Sequence, residues 1–278
     1  MTVFDEPKVD SHCHVLDPAR FPYSSDVSSG VTYRPAGQEI GTLDQYLQVM
    51  QAYGIRHALL VGPNSGYQFD NRCLLDALAR GAGRFKGIAV VPLDISRDAL
   101  IELRAQGVIG VAFNATLFGT AHYQSARPLL NALSGLDMLL SLQVQGDQLV
   151  DLQPLLARSE VHVLIDHCGR PDPARGVAQP GFQALLALAR TGRVAVKLSG
   201  LQKFSALTPP LADTRPFLDA LLEAFTLEAC LWASDWPFLR APQRLDVGPL
   251  LREVEQLLPA AADRQKLFWD TPRRWLGF

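Results

Sequence analysis

Lys8-Val9-Asp10-Ser11-His12-Cys13-His14-Val15 opens the chain's first apolar segment and carries two histidines one residue apart. Read as a strand, it sets His12 and His14 on one side and Cys13 on the other, because side chains alternate along extended backbone. Two imidazoles on one face can share a metal ion, a carbonyl oxygen or an attacking water. Taken alone, the motif reads equally well as two structural histidines bonded to backbone. The decision rests on whether other strands aim polar groups at the same point.

Outward from this stretch the chain alternates between two periodicities. Residues 17–41 are polar, rich in Ser, Pro, Gly and Tyr, and show neither period. A loop of that length inside a compact domain is expected to be functional, here a lid carrying Tyr23, Tyr33 and Arg34. Thr42 is placed to cap a helix that runs through Leu43, Tyr46, Leu47 and Met50 and stops at Gly54. Short apolar runs then recur at 57–61, 87–91, 108–113, 138–143, 161–166, 194–198 and 230–234. Between and after them lie helical patterns at 70–80, 98–105, 124–133, 148–157, 182–191, 215–225, 247–258 and 263–276. With the first stretch this makes eight strands, apolar on both faces, each followed by a helix. The expectation is one α/β domain over residues 1–278, a single (β/α)8 TIM barrel. An open doubly wound sheet would want a Gly-rich turn after its first strand, and Ser11-His12-Cys13-His14 is not one.

Composition narrows the function. A net charge of -2 without a Lys/Arg run excludes nucleic acid as a partner. No apolar run approaches the roughly 20 residues that span a bilayer. Met1–Glu6 is short, polar and acidic, unlike a signal peptide. Cys13, Cys73, Cys168 and Cys230 stand apart without a CxxC pair, as expected of reduced thiols in a cytoplasmic protein. The partner these features leave is a small molecule, with homo-oligomer formation left open.

Barrel active sites lie at the C-terminal ends of the strands. There the first strand presents His12 and His14, the sixth Asp166-His167-Cys168-Gly169-Arg170, the seventh Lys197 and Ser199, and the eighth Ser234-Asp235. So many ionisable groups at the ends of apolar runs are costly to bury unless paired or used. Each has a plainer reading. Asp235 could cap a turn before Pro237, His167 could be a bonded core histidine, and Arg170 could pair with Asp166 or Asp172. His57, His122 and His162 fall at strand starts or in loops and read as structural.

Four motifs in order, Val9–His14, Ile165–Pro171, Lys197–Gly200 and Trp232–Pro237, resemble the amidohydrolase superfamily, more narrowly its branch of 2-pyrone-4,6-dicarboxylate and sugar lactonases. The resemblance implies a (β/α)8 barrel and water-dependent opening of a lactone, with Asp235 as general base and His12, His14 and His167 polarising the carbonyl. The superfamily's metal-binding members usually add a Lys or Glu from strand four and a His from strand five. Here those positions read Val111-Ala112-Phe113-Asn114 and Leu142-Gln143-Val144-Gln145. The expectation is therefore a site with no cofactor, the alternative being one Zn²⁺ held by His12, His14, His167 and Asp235.

Substrate contacts are expected from Arg170, Lys197, Lys203, Tyr33 and Gln143. Residues 110–118 lack the arginines that pyrone-dicarboxylate lactonases carry there, so a lactone of lower charge fits as well as a dicarboxylate. Two competing functions stand beside the lactonase: a Zn-dependent decarboxylase of an aromatic or muconate-type acid, and a barrel that binds without catalysing.

Overall fold

Strands with two apolar faces need helices on one side and a filled bore on the other, and a closed ring of them supplies both. The computed structural model describes residues 2–23, 33–241 and 245–278. In it, β1 (Lys8–Cys13), β2 (Ile55–Val61), β3 (Phe85–Ala89), β4 (Val108–Asn114), β5 (Leu139–Gln143), β6 (Val163–Ile165), β7 (Val194–Leu198) and β8 (Cys230–Trp232) lie side by side in chain order. Every neighbouring pair is parallel. The gap between β8 and β1 is bridged beyond the strand ends. The Asp235 N–H donates to the His12 carbonyl at 2.9 Å, and the His14 N–H donates to the Trp236 carbonyl at 2.8 Å. The fold is a (β/α)8 barrel.

One long helix follows each strand: α1 (Leu43–Ala52), α2 (Arg72–Arg80), α3 (Arg97–Ala105), α4 (Arg127–Gly135), α5 (Gln148–Ala157), α6 (Pro180–Leu188), α7 (Arg215–Phe225) and α8 (Val247–Leu257). Thr42 caps α1 as expected: its Oγ1 accepts from the Gln45 N–H, and the Gln45 side chain accepts from the Thr42 N–H at 2.9 Å. The expected closing helix over 263–276 is interrupted. Ala261–Gln265 and Thr271–Leu276 are joined by a wider turn at 266–270, just before Pro272, which has no N–H to bond back along a helix. Of the expected lid over residues 17–41, positions 24–32 lie outside the described residues.

Alternation along the strands stacks chemically distinct layers in the bore. Val9, Leu59, Ile88, Leu139, Leu164, Ala195 and Leu231 form an apolar cluster with Leu276, on which Trp269, Trp275 and Phe278 pack. The C-terminal segment thus closes the mouth where strands begin: Phe278 stacks on His57, Trp275 meets His162, and Lys86 bonds the Gly277 carbonyl at 2.6 Å. His57 and His162 are accordingly far from the strand ends. Two residues beyond Leu139, Leu164 and Ala195, on the same side of each strand, come Ser141, Asp166 and Lys197. The bore becomes polar as it approaches its C-terminal mouth. Outside the ring, a larger apolar cluster fills the space between strands and helices.

The seam between β8 and β1 is fixed by one carboxylate. Asp10 is fully buried and accepts from the Ser234 N–H at 2.8 Å, the Ser234 hydroxyl, the Tyr46 hydroxyl at 2.8 Å and the His12 N–H at 3.3 Å. Burial pushes its pKa up while these bonds pull it down. Asp10→Ala leaves the Ser234 N–H and the Tyr46 hydroxyl buried without an acceptor, each costing about 1–3 kcal/mol. The expected outcome is a loss of roughly 3 kcal/mol or more in urea unfolding; an unchanged midpoint would contradict this role for the seam.

Candidate active site

Left-handed backbone is unfavourable for residues with a Cβ, by about 1–3 kcal/mol, and it persists where the surroundings over-determine it. His167 (φ 51°), Cys168 (φ 56°), Arg170 (φ 45°) and Asp235 (φ 59°) all adopt it. These turns end β6 and β8 earlier than the expected ranges 161–166 and 230–234, and they swing His167 and Asp235 over the bore. The Asp235 turn is held by its N–H to His12 and by the Phe238 N–H donating to its carbonyl at 2.8 Å.

His12, His14, His167 and Asp235 converge as expected from the sequence. The His12 and His14 Nε2 atoms are 3.3 Å apart, and Cys13 faces away towards the Leu59 carbonyl. His14 Nδ1 lies 2.8 Å from the Val61 carbonyl, which can only accept, so the proton sits on Nδ1 and Nε2 keeps its lone pair. Burial first, then the neighbouring His12, lower the His14 pKa to about 3 against the opposing pull of Asp235. His167 Nδ1 sits 3.0 Å from the Ser199 hydroxyl, and burial above all holds its pKa well below the usual imidazole range.

Asp235 is fully buried, and its two oxygens are used differently. Oδ2 accepts from Lys203 Nζ at 3.0 Å and from Gln202 Nε2 at 3.1 Å. Oδ1 has no hydrogen-bond partner and lies 3.7 Å from His167 Nε2 and 3.9 Å from His14 Nε2. Behind His12 sits a buried charge group. Lys197 Nζ contacts Asp166 Oδ1 at 2.8 Å, Ser141 Oγ at 2.9 Å and His12 Nδ1 at 3.3 Å. Burial favours protonation of Asp166, but Lys197 and His12 hold its pKa well below the usual carboxylate range.

A cavity of about 390 Å³ is lined by His12, His14, Asp166, Arg170, Gln202 and Lys203 on one side and Asn64, Asn114, Thr116 and Gln143 on the other, with Asp235 and His167 buried behind this lining. Of the residues expected to meet substrate, Arg170, Lys203 and Gln143 line it. Lys197 does not: it lies one layer down the bore, locked to Asp166. Tyr33 also lies off the lining, its hydroxyl bonded to Glu39 and its ring under the Arg240 guanidinium at 4.2 Å. Gln202, Asn64, Asn114 and Thr116 carried no expectation. Only Asn114, at the end of a strand, had a positional signal.

The expectation of a site without cofactor needs correction. His12, His14 and Asp235 offer ligand atoms all within 4.8 Å of one another, the fully buried Asp235 Oδ1 lacks a partner, and His14 turns a lone pair inward. A donor set of this kind is what a divalent ion takes, with the outer nitrogen of a ligand histidine bonded to a carbonyl. His167 of the expected ligand set lies beside this trio rather than in it, with its ring 4.6 Å from that of His12.

Fold and site together define a (β/α)8 barrel with a buried histidine–aspartate cluster at its C-terminal mouth. The chain belongs to the amidohydrolase family, whose model matches residues 9–278. It is 34% identical to a 4-sulfomuconolactone hydrolase from Rhizobium radiobacter over 96% of this chain and 89% of that one. It is similar, at 26% identity and a TM-score of 0.86, to a probable 2-pyrone-4,6-dicarboxylic acid hydrolase from Acinetobacter baumannii solved with citric acid bound, covering 98% and 99% of the two chains. An amidohydrolase from Burkholderia multivorans, 22% identical with a TM-score of 0.75 over 98% and 99% of the chains, shares the fold and was solved with bound zinc. Among the described residues no helix is long and apolar enough to cross a membrane.

Gly200 (φ 59°) shows how tightly the site is set. A Cβ there would lie 2.5 Å from His167 Nδ1. Gly200→Ala is expected to push the imidazole aside and lower turnover at least tenfold, and to lower the thermal midpoint because alanine must take left-handed backbone there, both measured on the purified variant with any lactone the parent opens.

Proposed function

We propose that the chain hydrolyses a lactone to the open hydroxy acid, and one observation carries the assignment of roles. Asp235 Oδ1 is a buried, unpartnered carboxylate oxygen at the focus of three imidazoles, while Oδ2 is clamped by Lys203 and Gln202. The clamp fixes which oxygen meets the reactants. Asp235 Oδ1 takes a proton from water as the oxygen adds to the lactone carbonyl carbon. The ring C–O bond then breaks, and the departing alkoxide recovers that proton. The His167 ring, oriented through Ser199, faces the charge that develops on the carbonyl oxygen, in the manner of an oxyanion donor. The Lys197–Asp166 pair sets the His12 ring. Arg170, whose Nε is buried without a partner, offers a donor to an acid group on the substrate.

His12, His14 and Asp235 are the residues that would hold a divalent ion. Such an ion supplies a water of lowered pKa and polarises the carbonyl. The names of the relatives at 34% and 26% identity support lactone opening over decarboxylation.

Asp235→Asn is expected to lower kcat by about 10³-fold or more, the scale seen when a catalytic proton acceptor and its charge are lost together. The parent's product should be the hydroxy acid, read by pH-indicator assay and mass spectrometry. Release of carbon dioxide instead, or a variant with near-parent turnover, would sink the assignment. Elemental analysis of protein purified without added metal should find about one equivalent of divalent ion, lost in His14→Ala, with chelation lowering activity and zinc restoring it. Full activity at under a tenth of an equivalent would count against the trio as a ligand set.

A further inference from the structure

The two sides of the cavity differ in chemistry. One side carries Arg170, Lys203 and Arg240, of which Lys203 is paired with Asp235 and Arg240 is stacked on Tyr33; the other is built from Asn64, Asn114, Thr116 and Gln143 and contains no charged side chain in that group. Side-chain amides can be written either way round, but here one backbone group fixes them all. The Leu117 N–H donates at 3.1 Å to an Asn114 side-chain atom, which must therefore be the oxygen, Oδ1. The Gln143 atom 3.0 Å from that oxygen must then be the donor, Nε2; its other hydrogen goes to Thr116 Oγ1 at 2.7 Å. The Asn114 nitrogen in turn faces Asn64 at 3.3 Å, which makes the facing atom of Asn64 its oxygen. Thr116 completes the set by donating to Asn114 Oδ1 at 2.6 Å.

With both Gln143 amide hydrogens used, that residue has its Oε1 acceptor left to offer. Asn64, only 9% exposed, has its Nδ2 donor left to offer. An acceptor and a donor carried on the two partners of Asn114, with no cation in the group, match hydroxyls, which both give and take hydrogen bonds. They do not match a carboxylate, which would face Gln143 Oε1 lone pair to lone pair. Ala112, whose methyl also lines the cavity, leaves room at this wall without adding charge.

We propose that Asn64, Asn114 and Gln143 form a specificity subsite for an uncharged, hydroxyl-bearing arm of the substrate. With Arg170 on the opposite side, the substrate class becomes a lactone that carries one free acid group and at least one hydroxyl. The inference rests on the lactone reading above and goes further than it, since it decides among lactones.

The test compares kcat/KM of the parent protein on three probes: the five-membered lactone of a hexaric acid (one carboxylate, several hydroxyls), muconolactone (one carboxylate, no hydroxyl) and 2-pyrone-4,6-dicarboxylate (two carboxylates, no hydroxyl). The hexaric lactone should exceed each of the others at least tenfold, a modest demand on a site built to bond a hydroxyl. Gln143→Met, close in volume but without the amide, should shrink the hexaric-to-muconolactone ratio at least tenfold. The ratio is unaffected by how much of the variant is active. Muconolactone or the dicarboxylate opened as fast as the hexaric lactone would overturn this inference and leave the lactone reading standing. None of the three being opened would overturn both.

Discussion

Asp10 is the group on which the site depends most directly, although it lines no part of the cavity. A barrel must close on itself, and here no ladder joins β8 to β1. One buried carboxylate takes bonds from the end of β8, from β1 and from α1. The two main-chain bonds beyond it join His12 to Asp235 and His14 to Trp236. The residues that close the barrel are thus the immediate neighbours of the histidine–aspartate cluster. Their relative placement is set by the same contacts that hold the ring shut.

Above that seam the bore solves a second problem, which is to keep several charges dry. Asp235 and Asp166 are each matched to a lysine, Lys203 and Lys197, at 3.0 and 2.8 Å. A buried ion pair adds little net stability, but removal of one member leaves an uncompensated charge and is strongly destabilising. The pairs are better understood as orientation devices. Lys203 consumes one oxygen of Asp235 and frees the other, and Lys197 and Asp166 together fix the ring of His12. The left-handed backbone at His167 and Asp235 belongs to the same economy, since an unstrained strand would carry both side chains past the bore.

Much of this was legible in the sequence because period-2 alternation and the rule that barrel sites lie at strand ends are both local. They led to the eight strands, to His12 and His14 on one face, and to His167 and Asp235. Alternation tells which side of a strand a residue takes but not how deep it sits. Lys197 therefore counted as a substrate contact, although it lies below His12 and spends its charge on Asp166. Tyr33 was drawn in by its place in a long loop, where nothing in the sequence marks its pairing with Glu39. Gln202 and Asn64 sit on connections with no periodicity at all. The expectation of no cofactor arose from counting ligands missing from strands four and five. It failed because three donors from two strands suffice, and because no sequence shows that an aspartate will have one oxygen clamped and the other left bare.

The missing strand-four and strand-five groups then have a different meaning. What stands in their place is Ala112, Asn114 and Gln143, a wall without formal charge whose hydrogen-bond polarity descends from a single backbone N–H at Leu117. The group of His12, His14, His167, Lys197 and Asp235 is carried by β1, β6, β7 and β8 and the turns that follow them, while this wall is carried by β4, β5 and the turn after β2. Among the described residues, the side chains of Asn64, Asn114, Thr116 and Gln143 make no hydrogen bond to His12, His14, His167, Lys203 or Asp235; the two halves are tied one layer down, where Ser141 of β5 bonds Asp166 and Lys197. A substitution on the amide wall can therefore change which lactone is accepted without disturbing the oxygen that Asp235 presents. Under the function proposed above, the chemistry belongs to the groups that closure of the ring places, and the choice of substrate to the wall that closure leaves free.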